Sequence, residues 1–297
     1  MKDETRKNKM GKKKVRIAIV GFGNVGKGVA EVIKRKKREI RRKYGLDMRV
    51  VSIVDLWGAV INEEGLDIDT VQQEIEKIKR GEGEKWLKME QIPSLDVIRN
   101  VEHDVTVEAT PTNIENGEPG LSHILAALES KRHVVTSNKG PLAVQYDKIM
   151  RAAKENDVEI RFEAAVGGAM PIISVAKEML AGNEILSIKG ILNGTCNYIL
   201  TGMTKEGLPY EHVLKEAQQI GIAESDPIKD VLGIDTAVKL VILANYLSLL
   251  GTTATASYND VNVVGITDIT PEALKLADDE GYVIKLVGEV EKEGRVL

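Results

Sequence analysis

A six-residue apolar run, Val15 to Val20, leads directly into Gly21-Phe22-Gly23-Asn24-Val25-Gly26, and this junction constrains the fold more than any other feature. The run is rich in β-branched residues and reads as a buried strand. A helix is expected from about Asn24 to Tyr44, with Val25, Val29, Val32, Ile33 and Ile40 near helical spacing. A second strand, Arg49 to Val54, ends at Asp55. Strand, glycine turn, helix and strand form a βαβ unit, which implies a parallel sheet with a right-handed crossover.

A lone G-x-G-x-x-G says little, but here the strand before it, the helix after it and the acid ending the second strand supply its context. Gly21 permits the tight turn, Gly23 lets the backbone approach a pyrophosphate, and Gly26 lets helix and strand pack closely. The first amides of the helix are then free for phosphates. Gly21, Phe22, Gly23, Asn24, Val25 and Gly26 are therefore expected to hold a dinucleotide; the bland alternative is a tight turn with no ligand. Asp55 would accept hydrogen bonds from the adenosine ribose. It lies 29 residues after Gly26, against a usual spacing of ~20, and the long basic helix accounts for the excess. A carboxylate repels a 2′-phosphate, so NAD is favoured over NADP, although a lysine of the basic helix could still reach such a phosphate.

Further along, Val105 to Ala109, His133 to Thr136 and Val158 to Glu163 read as strands, and Leu121 to Ser130 and Ala143 to Asn156 as helices. Residues 58–100 read as mostly helical and polar. Alternation of this kind predicts an α/β, Rossmann-type doubly wound domain over 15–160. After Gly167 the pattern changes. Helices are expected at Met170 to Leu180, Asn197 to Met203, Tyr210 to Ile220 and Ile234 to Leu250, and strands at Leu186 to Leu192 and Val283 to Val290. Residues 161–297 therefore read as a second α+β domain.

Charge narrows the partners. Residues 1–43 carry 17 Lys and Arg against 4 Asp and Glu, in a chain of net charge −4. Residues 1–14 read as a basic disordered tail and Lys34 to Lys43 as the solvated end of a helix, rather than as a nucleic-acid or membrane surface. The single cysteine, Cys196, allows no intrachain disulfide, in keeping with a reducing compartment. The charged N-terminus has no apolar core behind it, so no secretory signal is expected. The apolar stretch Thr236 to Leu250 is interrupted by Lys239 and Asn245 and falls short of the ~18–20 residues that span a bilayer. A cytoplasmic enzyme acting on a small molecule is expected.

The segment Ile234-Asp235-Thr236-Ala237-Val238-Lys239-Leu240 is the most informative of the second half. Asp235 and Lys239 are four apart and share a helix face. Alone, the pair would be read as a lysine snorkelling to solvent beside an exposed acid. Upstream, however, Glu224, Asp226 and Asp230 crowd one loop, a cluster suited to an ammonium group or a metal, with a solvated loop as the alternative.

Taken together, the glycine turn, Ala109-Thr110-Pro111-Thr112-Asn113, Ser137-Asn138-Lys139-Gly140-Pro141-Leu142, Glu163-Ala164-Ala165-Val166-Gly167-Gly168, Gly190-Ile191-Leu192-Asn193-Gly194-Thr195-Cys196-Asn197-Tyr198-Ile199-Leu200, and Ala223-Glu224-Ser225-Asp226-Pro227 through Gly233-Ile234-Asp235 and Lys239 occur in the order seen in homoserine dehydrogenases. The resemblance covers about residues 15–290. It implies NAD(P)-dependent interconversion of aspartate 4-semialdehyde and homoserine. Lys139 and Lys239 resemble the family's two active-site lysines, and Asp235 the carboxylate that orients the second. Glu224 resembles the group that binds the substrate ammonium, with Asp230 and the backbone around Gly194 and Thr195 completing the pocket. Thr110, Pro111, Ser137, Asn138 and Lys139 would flank the nicotinamide. Glu163 and the carbonyls near Val166, Gly168 and Met170 resemble a monovalent cation site, usually sodium; an oxygen-rich set suits a hard cation.

The resemblance also implies a homodimer, with the apolar segment Leu186 to Leu192, charged only at Lys189, near the contact. Family members usually return through a Gly-rich segment to complete the dinucleotide domain, and that segment is expected to be missing here. The competing readings are another amino-acid-pathway dehydrogenase, which should lack the Glu224–Asp235–Lys239 spacing, and a non-catalytic dinucleotide sensor, which should have lost those groups.

Overall fold

Parallel ladders on both sides of the first strand organise the N-terminal part of the chain. The computed structural model describes residues 13–80, 92–249 and 255–292. It divides into two units, Met1–Pro141 with Asp147–Ala164, and Leu142–Tyr146 with Ala165–Leu297.

In the first unit, β1 (Lys13–Val20) pairs in parallel with β2 (Leu46–Asp55) on one side and with β4 (Val105–Glu108) on the other. With β3 (Gly58–Ile61), β5 (His133–Thr136) and β6 (Ile160–Arg161), they form one sheet in the order β3-β2-β1-β4-β5-β6. Ile17, Ala18, Ile19 and Val20 are all buried, as expected of a central parallel strand covered on both faces. The strand order reverses about β1, so the crevice beyond the ends of β1 and β4 is the switch point where such sheets bind ligands.

The helix α1 (Asn24–Tyr44) turns Gly26, Ala30 and Ile33 inward and carries Arg41, Arg42 and Lys43 in its last turn, where cations complement the helix dipole. Gly45 stops it in the left-handed region, φ 70°, its amide bonding the Arg41 carbonyl. Ile19, Ile33, Ile53, Val71 and Ile75 meet in one core cluster. The helices that follow in the chain are α2 (Ile68–Lys79), α3 (Ser94–Asn100), α4 (Gly120–Glu129), α5 (Lys139–Val144), whose residues from Leu142 onward count with the second unit, and α6 (Tyr146–Glu155).

Four expectations are corrected here. Residues 58–61 are not helical; they return antiparallel along β2, pairing from Asp55↔Gly58 to Ser52↔Ile61, because a two-residue turn brings an apolar stretch back along the sheet edge. The helix expected from Ala143 begins earlier, at Lys139, since Pro141 is tolerated in a first turn, and it breaks into α5 and α6 around Gln145. The strand expected over Val158 to Glu163 shrinks to two residues because the Val158 amide is spent closing α6 on the Ala153 carbonyl at 3.0 Å. Lys13 and Lys14, expected in the tail, belong to β1; residues 1–12 of that tail, like residues 81–91 of the polar stretch, lie outside the described residues.

After α7 (Glu163–Val166), the second unit opens with α8 (Ile172–Ser174), which widens into a π-helical turn at Val175–Met179. The helix expected over Met170 to Leu180 is thus irregular, with the Leu180 amide bonding the Val175 carbonyl at 3.0 Å. The strand β7 (Ser187–Gly190) pairs antiparallel with β8 (Gly288–Glu291). The long strand expected from Val283 is confined to Gly288–Glu291, because β7 offers it only four partners. Between them come α9 (Gly194–Glu206), α10 (Tyr210–Gln219), α11 (Ile228–Val231), α12 (Ile234–Tyr246) and α13 (Pro271–Asp279).

The turn α11 sits inside the stretch read as an acidic loop. No element was expected at α13, although Thr270 caps it and Pro271 opens it, an ordinary helix-start signal. Cys196, Ile199, Leu200 and Met203 of α9 pack with Val213 and Ala217 of α10 and Leu274 of α13. Gly202 permits the close approach of α9 and α10; a Cβ there would lie 2.8 Å from Val213 Cγ1.

Candidate active site

In the first unit, the three glycines of the turn have different neighbours. A Cβ on Gly21, at φ +90°, would lie 2.6 Å from the Ala109 carbonyl, and one on Gly26 would strike the carbonyl oxygen of Gly21. Both are required by the packing of the turn whatever it binds. A Cβ on Gly23 would meet nothing within 4 Å. The middle glycine is the one that packing does not explain, and it leaves the backbone open to an incoming group. It is also the N-cap of the 21-residue helix α1 and offers no side-chain cap, so the first amides of α1 remain available to an anion.

Asp55 closes the turn from the other side. Its Oδ2 accepts the Phe22 amide at 2.6 Å and its Oδ1 the Leu56 amide at 2.7 Å. Each carboxylate oxygen has a further lone pair, so holding the turn and accepting a ribose hydroxyl are compatible. These residues fit a dinucleotide.

At the ends of β4 and β5, Thr110, Pro111 and Asn138 come together around a residue that sequence reading missed. Glu108 is fully buried. Its carboxylate accepts the Thr110 amide at 3.0 Å, the Thr110 hydroxyl, and the Thr136 hydroxyl at 3.0 Å. The Asn138 amide in turn bonds Thr136 Oγ1 at 3.0 Å, and its side-chain nitrogen reaches the Thr110 and Pro111 carbonyls. Glu108 thus ties together the two loops expected beside the nicotinamide. The signal available was an acid ending a short buried strand of β-branched residues. Ser137 and Lys139 flank Asn138, both half-buried.

In the second unit, α12 is buried on all sides from Asp235 to Asn245 except at Lys239. The Lys239 ammonium lies 2.7 Å from Asp235 Oδ2 and donates to the Leu192 carbonyl at 2.8 Å. The side chains are 17% and 9% exposed respectively. This is not a snorkelling lysine beside a solvated acid. An ammonium has three donors; with two engaged, one is left for a ligand.

Asn193, also missed by sequence reading, donates to Asp230 Oδ1 at 2.7 Å and to Asp235 Oδ2 at 3.0 Å, and caps α9. The cap explains why α9 starts before the expected Asn197. Cys196, in the first turn of α9, gives its thiol to the Asp230 carbonyl at 3.1 Å. Burial, with the negative charges of Asp230 and Asp235 behind it, pushes that thiol up to about 12, so it stays protonated and is no nucleophile. Gly194 and Thr195 line a cavity of about 590 Å³ with Asn197, Tyr198, Thr201 and Ile222, within the usual range for small-molecule sites.

The structure brings Asp230, Asp235 and Lys239 together through Asn193, but not Glu224. Glu224 is exposed, and among the described residues its carboxylate takes part in no ion pair. Of the expected cation ligands, Glu163 falls in the first unit and Val166, Gly168 and Met170 in the second. Gly168 takes φ +60° and the Met170 amide bonds the Gly167 carbonyl at 3.0 Å, a tight curl of backbone. Among the described residues no cluster of three His, Cys, Asp or Glu side chains is arranged to hold a metal, and none of their helices is long and apolar enough to cross a membrane.

Comparison with known proteins matches two family models. Residues 21–163 match the homoserine dehydrogenase NAD-binding domain, and residues 171–296 match homoserine dehydrogenase. A homoserine dehydrogenase of Methanocaldococcus jannaschii is 53% identical over 284 residues, covering 95% of this chain and 82% of the relative. One of Bacillus subtilis is 35% identical, covering 95% of this chain but 59% of the relative. An NAD(+)-dependent homoserine dehydrogenase of Pseudomonas canavaninivorans is 36% identical, with coverages of 92% and 76%. Among solved structures, a homoserine dehydrogenase of Thermoplasma acidophilum superposes with TM-score 0.76 at 29% identity, covering 95% of this chain and 80% of that one.

Proposed function

The chain belongs to the homoserine dehydrogenase family, as an oxidoreductase with an NAD-binding domain, and from that premise we propose how its own residues interconvert aspartate 4-semialdehyde and homoserine. The observation that carries this reading is the Lys239 ammonium, held on two sides with a third donor to spare.

When bound, the nicotinamide supplies or accepts the hydride. The turn Gly21 to Gly26, with Asp55, holds the adenosine and pyrophosphate end, and NAD is favoured over NADP. Thr110, Pro111, Ser137 and Asn138 flank the ring, their loops braced by Glu108. Reduction of an aldehyde builds negative charge on its oxygen. Lys239 stabilises that charge and delivers the proton, while Asp235 and the Leu192 carbonyl hold the ammonium in place. In the reverse direction the same nitrogen takes the proton from the hydroxyl. Lys139 is the second active-site lysine. Asp230 receives the substrate ammonium, with Gly194 and Thr195 closing the pocket at the start of α9, and Glu224, exposed in the unliganded chain, turns in from its loop to join it when substrate binds.

In the second unit, the carbonyls of Val166, Gly168 and Met170 would offer oxygens to a monovalent cation of the sodium type, Gly168 turning the backbone at φ +60°. The chain acts in the cytoplasm, in the aspartate-derived route to threonine, methionine and isoleucine. It pairs as a homodimer through the second unit, where Met170, Met179, Val264 and Val283 are exposed apolar side chains; sedimentation as a monomer at micromolar concentration would exclude that. The activity itself is tested by NADH oxidation with aspartate 4-semialdehyde. Turnover supports it, and no turnover with a correctly folded chain refutes it.

A further inference from the structure

We infer that Asn193 is a positioning residue for the reaction, its one carboxamide locking the first turn of α9 to the Asp235–Lys239 pair and holding Asp230 and Asp235 side by side. This rests on the reading of Asp235 and Lys239 as the reacting pair.

Asn193 is 4% exposed, and every polar atom of its side chain is used. Oδ1 accepts the Cys196 amide at 2.9 Å, and the two protons on Nδ2 go to Asp230 Oδ1 at 2.7 Å and Asp235 Oδ2 at 3.0 Å. The orientation is fixed by chemistry. A flipped amide would set its oxygen against two carboxylates and its nitrogen against an N–H. The residue before it, Leu192, gives its carbonyl to Lys239. Residues 192 and 193 therefore grip the lysine on one side and its carboxylate on the other.

The groups facing this point are Asp230 from α11, Asp235 and Lys239 from α12, and Cys196 from α9, with Tyr210 of α10 packed against the core cluster that holds Cys196. Two carboxylates sharing a site repel, and one is driven toward its protonated form unless donors intervene. Asn193 is a neutral donor between the two. Without it, protonation of Asp235 would release the hold on Lys239.

The test uses Asn193→Ser and Asn193→Asp. Both residues are good N-caps and keep the start of α9. Serine is too short to bridge the carboxylates, and aspartate replaces the bridging donor with a third negative charge. Asn193→Ser is expected to remain folded, with a Tm lowered by the loss of two hydrogen bonds to carboxylates, and to lower kcat about 10- to 100-fold, the scale of a small misplacement of reacting groups. The KM for NADH should be unchanged and the acidic limb of the kcat profile displaced to higher pH. Asn193→Asp should be worse, and adding Asp230→Asn to either variant should return the limb toward its parental position.

A parental kcat and limb in Asn193→Ser, equal effects of the two variants, or a loss of kcat with no displacement of the limb would each overturn the inference. Lys239→Ala, measured alongside, separates the two levels. If it is near-parental, the reading of the reacting pair fails. If it is inactive while Asn193→Ser is parental, only the role of Asn193 fails.

Discussion

Lys239 Nζ and Asp235 Oδ2 stand 2.7 Å apart on successive turns of α12, a helix whose neighbouring positions are buried. Removing one partner of such a pair strands the other, at a typical cost of about 3–5 kcal/mol. The remaining bond from Lys239 to the Leu192 carbonyl and its slight exposure place Asp235→Ala near the lower end. Asp235→Ala is therefore expected to lose about 3 kcal/mol of unfolding free energy together with much of kcat. Denaturant titration and steady-state kinetics on one preparation check both, and an unchanged midpoint would show that the pair is not held as described.

Cofactor choice turns on Asp55, whose two oxygens already bind the Phe22 and Leu56 amides. NADH is expected to give the higher kcat/KM, and Asp55→Ser to lower that value while raising the one for NADPH. A clear parental preference for NADPH would contradict the role given to this carboxylate.

His103 makes stability depend on pH. It is fully buried, with Nδ1 2.7 Å from the Val101 carbonyl and Nε2 2.8 Å from Thr106 Oγ1. A carbonyl only accepts, so Nδ1 carries the proton and Nε2 accepts from threonine. Burial, only partly opposed by the Val101 bond, holds its pKa below the ordinary histidine range. As pH falls below about 6.5, the unfolded chain takes up a proton that the folded chain refuses, so unfolding free energy falls until the depressed folded value is passed. Between pH 7.5 and 5.5 the parent should lose more stability than His103→Gln. Equal losses in denaturant titrations would argue against it.

What the sequence disclosed was local and periodic. The βαβ unit, α1 with its bounds, and β5 were legible because hydrophobic period and glycine punctuation agree there. Gly58–Ile61 was not, since a four-residue apolar return looks the same in a helix or a strand until its partner is known. The pairing of Asp235 with Lys239 followed from helical spacing, whereas Asn193 joins Asp230 and Asp235 across 37 and 42 residues, a contact no local pattern encodes. Glu108 was hidden for a similar reason. One of its partners, Thr136, is 28 residues away on the next strand.

The most direct measurement is kcat of Lys239→Ala with aspartate 4-semialdehyde and NADH, with the fold checked by circular dichroism. A group that stabilises the developing oxyanion and delivers its proton contributes on the order of 10²- to 10⁴-fold. Kcat is expected to drop by that factor in a folded protein. The Asp235→Ala, Lys239→Ala double variant should lose markedly less than the product of the single losses, because the two act as a unit. Near-parental kcat in Lys239→Ala, with Lys139→Ala inactive, would contradict the central claim and leave the proton with Lys139.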